Sequence, residues 1–153
     1  MPTLQQAEQL KRFAEEIFEV SKDFWAAQSR SKNRGQAEIT ETEFLALDIL
    51  AWSDKQLTVG DIQKQIGVQP AQMSRVIRAL ENKTDAPLIA CRINADDKRK
   101  VDVELTPAGK KAHGGYREMK LGNIGKMLLG LPEKDRAELM RILRQIREIM
   151  RKS

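Results

Sequence analysis

Residues 58–100, TVGDIQKQIGVQPAQMSRVIRALENKTDAPLIACRINADDKRK, decide the fold of this chain. Four apolar residues in this stretch recur at i, i+3, i+4 and i+7, namely Met73, Val76, Ile77 and Leu80. The spacing predicts a helix from Pro70 to about Asn82 with one buried stripe, and proline suits the first helical position. The opposite face presents Ala71 and five residues that can donate to bases and phosphates: Gln72, Ser74, Arg75, Arg78 and Asn82.

A shorter helix is predicted immediately upstream of this one. Thr58 is a good N-cap, and Asp61, three residues later, suits the exposed amides of the first turn. Gly67 lets the backbone turn sharply after the helix. Two helices joined by residues 67–69 match a helix-turn-helix, although an ordinary helical hairpin in a core also fits these two helices alone.

The residues that follow predict a β-hairpin with a basic loop. Apolar residues alternate with others over residues 89–93 and 101–105, which is the period of a strand with one buried face. The connecting residues 94–100 end in three consecutive cations. The neighbouring helix also presents two arginines. The helix and the loop together suit a duplex, with the helix in the major groove and the loop over phosphate or the minor groove.

This stretch resembles the MarR family of bacterial winged helix-turn-helix regulators. Four segments carry the resemblance: Leu57–Ile62, Gln69–Val76, Asp97–Lys100 and Leu105–Gly109. The most specific part is an Asp-x-Arg in the loop, followed by a strand that ends in Leu-Thr-x-x-Gly. The resemblance covers about residues 40–112. It implies a mainly α fold with a small β-hairpin wing, in which helices from both chain ends form a dimer.

The resemblance also implies roles for individual residues. Arg99 would enter the minor groove from the wing, Asp97 would hold the loop and Arg99 in position, and the recognition helix would bring Ser74 and Arg75 to the DNA. The predicted DNA-binding set is Gln69, Ala71, Gln72, Ser74, Arg75, Arg78, Arg92, Asp97, Lys98, Arg99 and Lys100. The chain departs from the family pattern at Gln69 (usually Ser or Thr), in the proline-containing link over residues 83–87, and at Cys91 (often Arg).

Composition and charge fit a nucleic-acid-binding protein without selecting DNA. The 153 residues carry a net charge of +5, and the basic excess lies in residues 70–100 and 106–153. Such a surface attracts polyanions, although charge alone would equally suit RNA or an anionic membrane surface. One cysteine excludes an intrachain disulfide, and no apolar run approaches the ~18 residues of a membrane span. We therefore predict a cytoplasmic protein.

Long amphipathic helices are predicted at both ends of the chain. The first has a heptad-like seam of Leu10, Phe13, Ile17, Val20 and Phe24, and the last carries Leu139, Ile142, Leu143, Ile146, Ile149 and Met150 on one face. A helix over residues 42–52, with Leu45 and Trp52 on a broad apolar surface, is predicted to be largely buried.

These end helices predict a homodimer, because one small winged lobe cannot cover both seams. The predicted domains are an N-terminal dimerisation helix and connection (1–35), the winged DNA-binding lobe (36–108) and C-terminal dimerisation helices (109–153). The alternative is a monomer in which the end helices pair within one chain.

Catalytic and metal sites are not predicted, and neither is a cofactor. His113 and Cys91 are the only histidine and cysteine, so neither a multi-His/Cys metal site nor a Cys-His dyad can be assembled comfortably. Cys91 is interpreted as a packed thiol rather than a redox sensor. In the resembled family, a small lipophilic or phenolic effector often binds between the dimer region and the lobe. Aromatic residues that could line such a pocket, or equally a plain core, are Phe13, Phe24, Trp25, Phe44, Trp52 and Tyr116.

The residue patterns and the resemblance together predict a sequence-specific regulator of transcription that binds double-stranded DNA at a pseudo-palindromic operator. The resemblance favours a repressor released by a small-molecule effector. The alternatives are a winged-helix module that binds an acidic protein, and a nonspecific nucleic-acid-binding or RNA-binding protein. The sequence does not give the operator, the regulated genes or the effector.

Overall fold

A computed structural model describes residues 1–30, 38–83 and 86–153. The chain divides into two compact units, one of Lys32–Glu118 and one that combines Met1–Ser31 with Met119–Ser153. Residues 31–35 of the predicted connection and residues 84–85 of the predicted link lie outside the described residues.

Six helices and three strands form the described chain. In order they are α1 (Leu4–Arg30), α2 (Glu41–Trp52), β1 (Leu57–Thr58), α3 (Val59–Ile66), α4 (Pro70–Glu81), β2 (Ile89–Ile93), β3 (Val101–Leu105), α5 (Pro107–Leu129) and α6 (Glu133–Lys152). The fold is therefore mainly helical with a small antiparallel sheet, as the sequence predicted. No described helix is long and apolar enough to cross a membrane.

Local chemistry sets the bounds of the helix-turn-helix formed by α3 and α4. Asp61 N donates to Thr58 Oγ1 at 3.1 Å while Thr58 N donates to Asp61 Oδ2 at 2.9 Å, so a reciprocal capping box starts α3. Gly67 ends α3 with φ of 80°, a left-handed conformation that glycine adopts without steric cost. Pro70 begins α4, and Gln69 makes no side-chain cap, consistent with its departure from the family pattern.

The sheet has the strand order β1-β3-β2 and is antiparallel throughout. In the β2–β3 hairpin, Ile89 lies opposite Leu105 and Cys91 lies opposite Val103. β1 was not predicted, because a strand of two residues is too short to show a period in the sequence. It pairs with β3 through Leu57 and Val103, and the Gln56 side chain donates to Val103 O at 3.0 Å.

The core of the Lys32–Glu118 unit lies between α2, α3, α4 and the sheet. Its fully buried large side chains are Leu47, Ile62, Met73, Leu80, Ile89 and Val103. The apolar stripe of α4 is buried as predicted. The expectation for α2 was wrong in part, because Phe44 and Leu47 are buried while Leu45 is 46% exposed and Trp52 is 69% exposed. A helix that is apolar almost all round does not reveal by periodicity which side faces the core.

The junction between β3 and α5 explains the Leu-Thr-x-x-Gly motif. Thr106 Oγ1 donates to Pro87 O at 2.6 Å and accepts from Gly109 N at 3.0 Å, while Thr106 N donates to Leu88 O at 3.1 Å. A Cβ at Gly109 would lie 1.9 Å from Leu88 O. Only glycine lets α5 start this close to the backbone that leads into β2.

The second unit contains α1, the end of α5 and α6. Within it, Lys120 Nζ donates to Gln28 Oε1 at 2.8 Å. Many apolar side chains of its helices remain exposed in the single chain, including Phe13 and Ile17 on α1 and Ile149 and Met150 on α6. Both predicted end helices are present as α1 and α6, and none of the side chains of α6 is buried.

Candidate nucleic-acid interface

The outer face of α4 is open to solvent along its whole length. The residues of the predicted DNA-binding set on or next to this helix are all exposed: Gln69, Ala71, Gln72, Ser74, Arg75 and Arg78. Burial of the opposite stripe fixes the rotation of α4, so this face cannot turn inward. The end of the helix is tied by Asn82 Nδ2, which donates to Arg78 O at 2.7 Å.

The loop between β2 and β3 presents Arg99 in a fixed frame. Asp97 accepts from Arg99 through three groups: the backbone N–H at 3.0 Å, Nε at 3.1 Å and an Nη at 3.2 Å. The Arg99 side chain is nevertheless 91% exposed. Asp97 therefore holds the guanidinium of Arg99 on one side, while most of the side chain stays accessible to solvent. This arrangement suits insertion into a groove of DNA.

Electrostatics support an ionised Asp97. The Arg99 side chain, followed by the Arg99 backbone N–H, lowers the pKa of Asp97 below its ordinary value of 3.8. Lys98 and Lys100 are exposed on either side of Arg99. Arg92, also predicted as a DNA contact, is exposed on β2 and forms an ion pair with Glu104 at 3.1 Å.

A groove of about 930 Å³ joins the helix-turn-helix to the wing. It brings together four of the predicted DNA-binding residues, Ser74, Arg78, Arg99 and Lys100, and its lining includes the first turn of α3. The other predicted residues do not line the groove: Gln69, Ala71, Gln72, Arg75, Arg92, Asp97 and Lys98. Cationic and hydroxyl groups from α4 and the wing thus line one concave surface, whose lining also includes the acidic residues Asp61 and Glu81.

Comparison with protein families identifies this lobe. Residues 39–101 match the model of the MarR family. The winged helix-turn-helix lobe is therefore similar to the MarR family over residues 39–101. MarR-family proteins are transcription regulators rather than enzymes. No curated protein matches the chain in sequence.

Solved structures similar to this chain share the MarR fold at low sequence identity. MepR of Staphylococcus aureus, a regulator of a multidrug efflux pump, has a TM-score of 0.72 and 20% identity, covering 90% of this chain and 98% of its own. PcaV of Streptomyces coelicolor has a TM-score of 0.70 and 14% identity, covering 92% and 98%. BpsR of Bordetella bronchiseptica has a TM-score of 0.67 and 20% identity, covering 88% and 98%.

A buried ion pair supports the end of α4 in this lobe. Lys83, just after α4, donates to Glu43 Oε1 on α2 at 2.7 Å and to Glu38 O at 2.9 Å. Glu43 is only 4% exposed. Sequence reasoning missed this pair, because the partners are forty residues apart and no local pattern connects them.

The six aromatic residues predicted for an effector pocket are divided between the two units. Phe13 and Trp25 are exposed on α1, and Phe24 is half-buried on the same helix. In the winged unit, Phe44 is buried against Tyr116, with ring centroids 5.3 Å apart. Trp52 lies exposed at the end of α2. Their role in ligand binding stays a prediction.

Asp48 forms the centre of a polar cluster beside these aromatics, and no pattern in the sequence indicated it. It accepts from Trp52 Nε1 at 3.2 Å and lies 2.7 Å from His113 Nε2. The buried His113 ring stacks on Phe44 at a centroid distance of 5.4 Å, and Arg117 packs over Trp52. These contacts fix His113 as a packing residue of the lobe.

A separate cavity of about 470 Å³ lies between the end of α2, β3 and the start of α5. Its lining includes Leu50, Gln56, Leu105, Lys110 and His113. None of the six predicted effector-pocket aromatics lines it. Among residues 1–30, 38–83 and 86–153, no group of three His, Cys, Asp or Glu side chains could hold a metal ion.

Proposed function

We propose that this chain is a dimeric transcriptional regulator that recognises specific sequences in double-stranded DNA. The observation that carries the proposal is the groove in which Ser74 and Arg78 of α4 face Arg99 and Lys100 of the wing. An α-helix fits the major groove of B-DNA, whereas a narrow arginine-tipped loop fits the minor groove. The presence of both elements on one surface favours duplex DNA over a single-stranded ligand.

The chemistry of each element supports a division of labour. Arg78 and Gln72 can form bidentate hydrogen bonds with guanine and adenine, respectively, in the major groove, and these contacts distinguish base pairs. Lys98, Arg99 and Lys100 add positive charge, which attracts phosphates irrespective of sequence. We therefore assign specificity chiefly to α4 and a large share of affinity to the wing.

The exposed apolar surface of α1 and α6 supports assembly as a homodimer. Phe13, Ile17 and Trp25 are each more than half exposed in the single chain, at 55%, 63% and 66%. Apolar patches of this extent favour a protein partner, and a two-fold axis lets identical patches cover each other. The dimer would then present two α4 helices to successive major grooves of a pseudo-palindrome.

We further propose that a small molecule releases the protein from DNA. DNA binding by BpsR is regulated by 6-hydroxynicotinic acid, and PcaV has been solved with its natural ligand. By analogy, we propose a repressor whose affinity for DNA falls when a small lipophilic or phenolic effector binds. In the winged unit, the aromatic residues proposed to contact such an effector are Phe44, Trp52 and Tyr116.

The test is selection from a randomised duplex pool at moderate salt, followed by sequencing. We expect enrichment of a palindrome whose half-sites lie about one helical turn apart. Salt-sensitive binding with no enriched sequence would contradict specific recognition and favour a nonspecific role. Failure to retain any duplex would favour the protein-interaction alternative.

Two matched double variants distinguish the effect of the groove residues from a general effect of positive charge. Arg78→Ala combined with Arg99→Ala removes two cations from the groove. Arg144→Ala combined with Arg151→Ala removes two exposed cations from the polar side of α6 and changes net charge equally. The proposal expects loss of enrichment only for the first pair.

A further inference from the structure

Asn94, the residue that follows β2, organises the wing loop and was not among the predicted DNA contacts. Its side-chain oxygen accepts from the backbone N–H groups of Asp96 and Asp97, each at 2.9 Å. Its Nδ2 donates to Asp102 Oδ1 on β3 at 2.8 Å. One amide side chain thus ties the turn that carries Asp97 to the opposite wing strand.

Backbone hydrogen bonds close the same loop around this side chain. Asn94 N donates to Lys100 O at 2.9 Å, and Lys100 N donates to Asp97 O at 3.0 Å. Asp97 in turn accepts from Arg99 at its backbone and its guanidinium. A continuous path of hydrogen bonds therefore runs from Asp102 through Asn94 and Asp97 to Arg99.

We propose that Asn94, held by Asp102, is a positioning residue that presents Arg99 to the duplex. The inference rests on the proposed DNA-binding function and deepens it. An exposed arginine loses rotamer freedom when it binds, and a side chain already held in place loses less. Without the Asn94 amide, the backbone N–H groups of Asp96 and Asp97 hydrogen-bond to water instead. Asp97 then no longer has a fixed position from which to hold Arg99.

Asn94→Ala tests the proposal because it removes the amide without changing charge. We expect it to weaken binding to the selected duplex by about tenfold, in the range of losing one well-placed arginine contact. Adding Asn94→Ala to Arg99→Ala should cause no further loss, because both changes remove the same contact. Fluorescence anisotropy gives the affinities, and thermal unfolding shows whether the lobe remains folded.

A reciprocal exchange of Asn94 and Asp102 tests whether the affinity for the duplex can be restored. Asn94→Asp alone places a second carboxylate beside Asp102, and we expect it to weaken binding. Combining Asn94→Asp with Asp102→Asn restores one carboxylate, one amide and the original net charge. In this exchange the new carboxylate on the loop can accept the two backbone N–H groups while the new amide on β3 donates to it, so most of the affinity should return.

Loop dynamics in the free protein make the inference testable apart from DNA. Backbone ¹⁵N relaxation of residues 95–100 should show greater motion in Asn94→Ala than in the wild-type chain. If the wild-type chain binds no duplex, the proposed function fails, and these relaxation data still decide whether Asn94 orders the loop. Unchanged loop motion, unchanged duplex affinity, or a loss fully additive with Arg99→Ala would overturn the inference.

Discussion

Asp97 is the residue whose ionisation stabilises the wing tip. Its pKa is lowered by Arg99, so the folded loop binds the proton less readily than the unfolded chain. The stabilisation is therefore fully present above the ordinary pKa of 3.8 and is lost as pH falls through the lowered value. The interaction that holds Arg99 should consequently be insensitive to pH throughout the neutral range.

An NMR titration of the Asp97 carboxyl carbon measures this shift. We expect a midpoint below 3.8 in the wild-type chain and a rise toward 3.8 in Arg99→Ala, which removes the side-chain donor. The same midpoint in both proteins would show that Arg99 is not the cause of the lowered pKa.

Cys91 is a weak nucleophile because of its surroundings. Burial, followed by the charge of Glu81 and a hydrogen bond with its side chain, raises the thiol pKa from 9.0 to about 11. Only the thiolate reacts, so at pH 8 we expect alkylation by iodoacetamide to be about a hundredfold slower than for an unperturbed thiol. The comparison is with the same chain in denaturant. Equal rates in the folded and unfolded chain would revive the interpretation of Cys91 as a redox sensor.

The close packing of α5 against the backbone that leads into β2 depends on Gly109. Gly109→Ala forces a Cβ into Leu88 O, and overpacking of this kind costs about 1–3 kcal/mol of stability. Gly114→Ala, on the same helix, has no neighbour within 4 Å of its new Cβ and should stabilise by about 0.5–1 kcal/mol. Urea unfolding measures both, and effects of the same sign would refute the packing argument.

Elements with a clear local signal were predictable from the sequence. The stripe of α4 follows the helical period, Gly67 marks the turn, and both wing strands form at the residues that alternation predicted. The expectation of one buried apolar face was wrong at the loop ends of these strands, where Ile93 is 70% exposed and Val101 is 36% exposed because the hairpin extends past the core. β1 was missed because it depends on pairing with β3 rather than on its own two residues.

Contacts between distant residues could not be predicted in the same way. Lys83 meets Glu43 across forty residues, and Asn94 meets Asp102 across the hairpin. Both of these polar contacts depend on how helices and strands pack against each other. Hydrophobic periodicity within one element gives no information about that packing. The proposed DNA-binding residues were accessible to sequence reasoning because the family motif coincides with the exposed side of α4 and the wing.

For the whole molecule, the proposed two-fold assembly depends on the apolar face of α1. Ile17→Glu places a charge within this 63% exposed surface, and we expect the dimer to dissociate and duplex affinity to fall with it. Arg12→Gln changes net charge by the same amount at an exposed position away from the seam. Sedimentation velocity distinguishes the species, and a dimeric Ile17→Glu would exclude this face as the interface.

Methylation interference on the selected duplex shows whether α4 and the wing both contact DNA, since dimethyl sulfate marks guanine N7 in the major groove and adenine N3 in the minor groove. We predict two clusters of guanine interference about one helical turn apart, from two α4 helices, with adenine interference in the adjoining minor grooves, from two wings. A single cluster, or interference confined to one groove, would contradict a dimer that reads DNA with both elements.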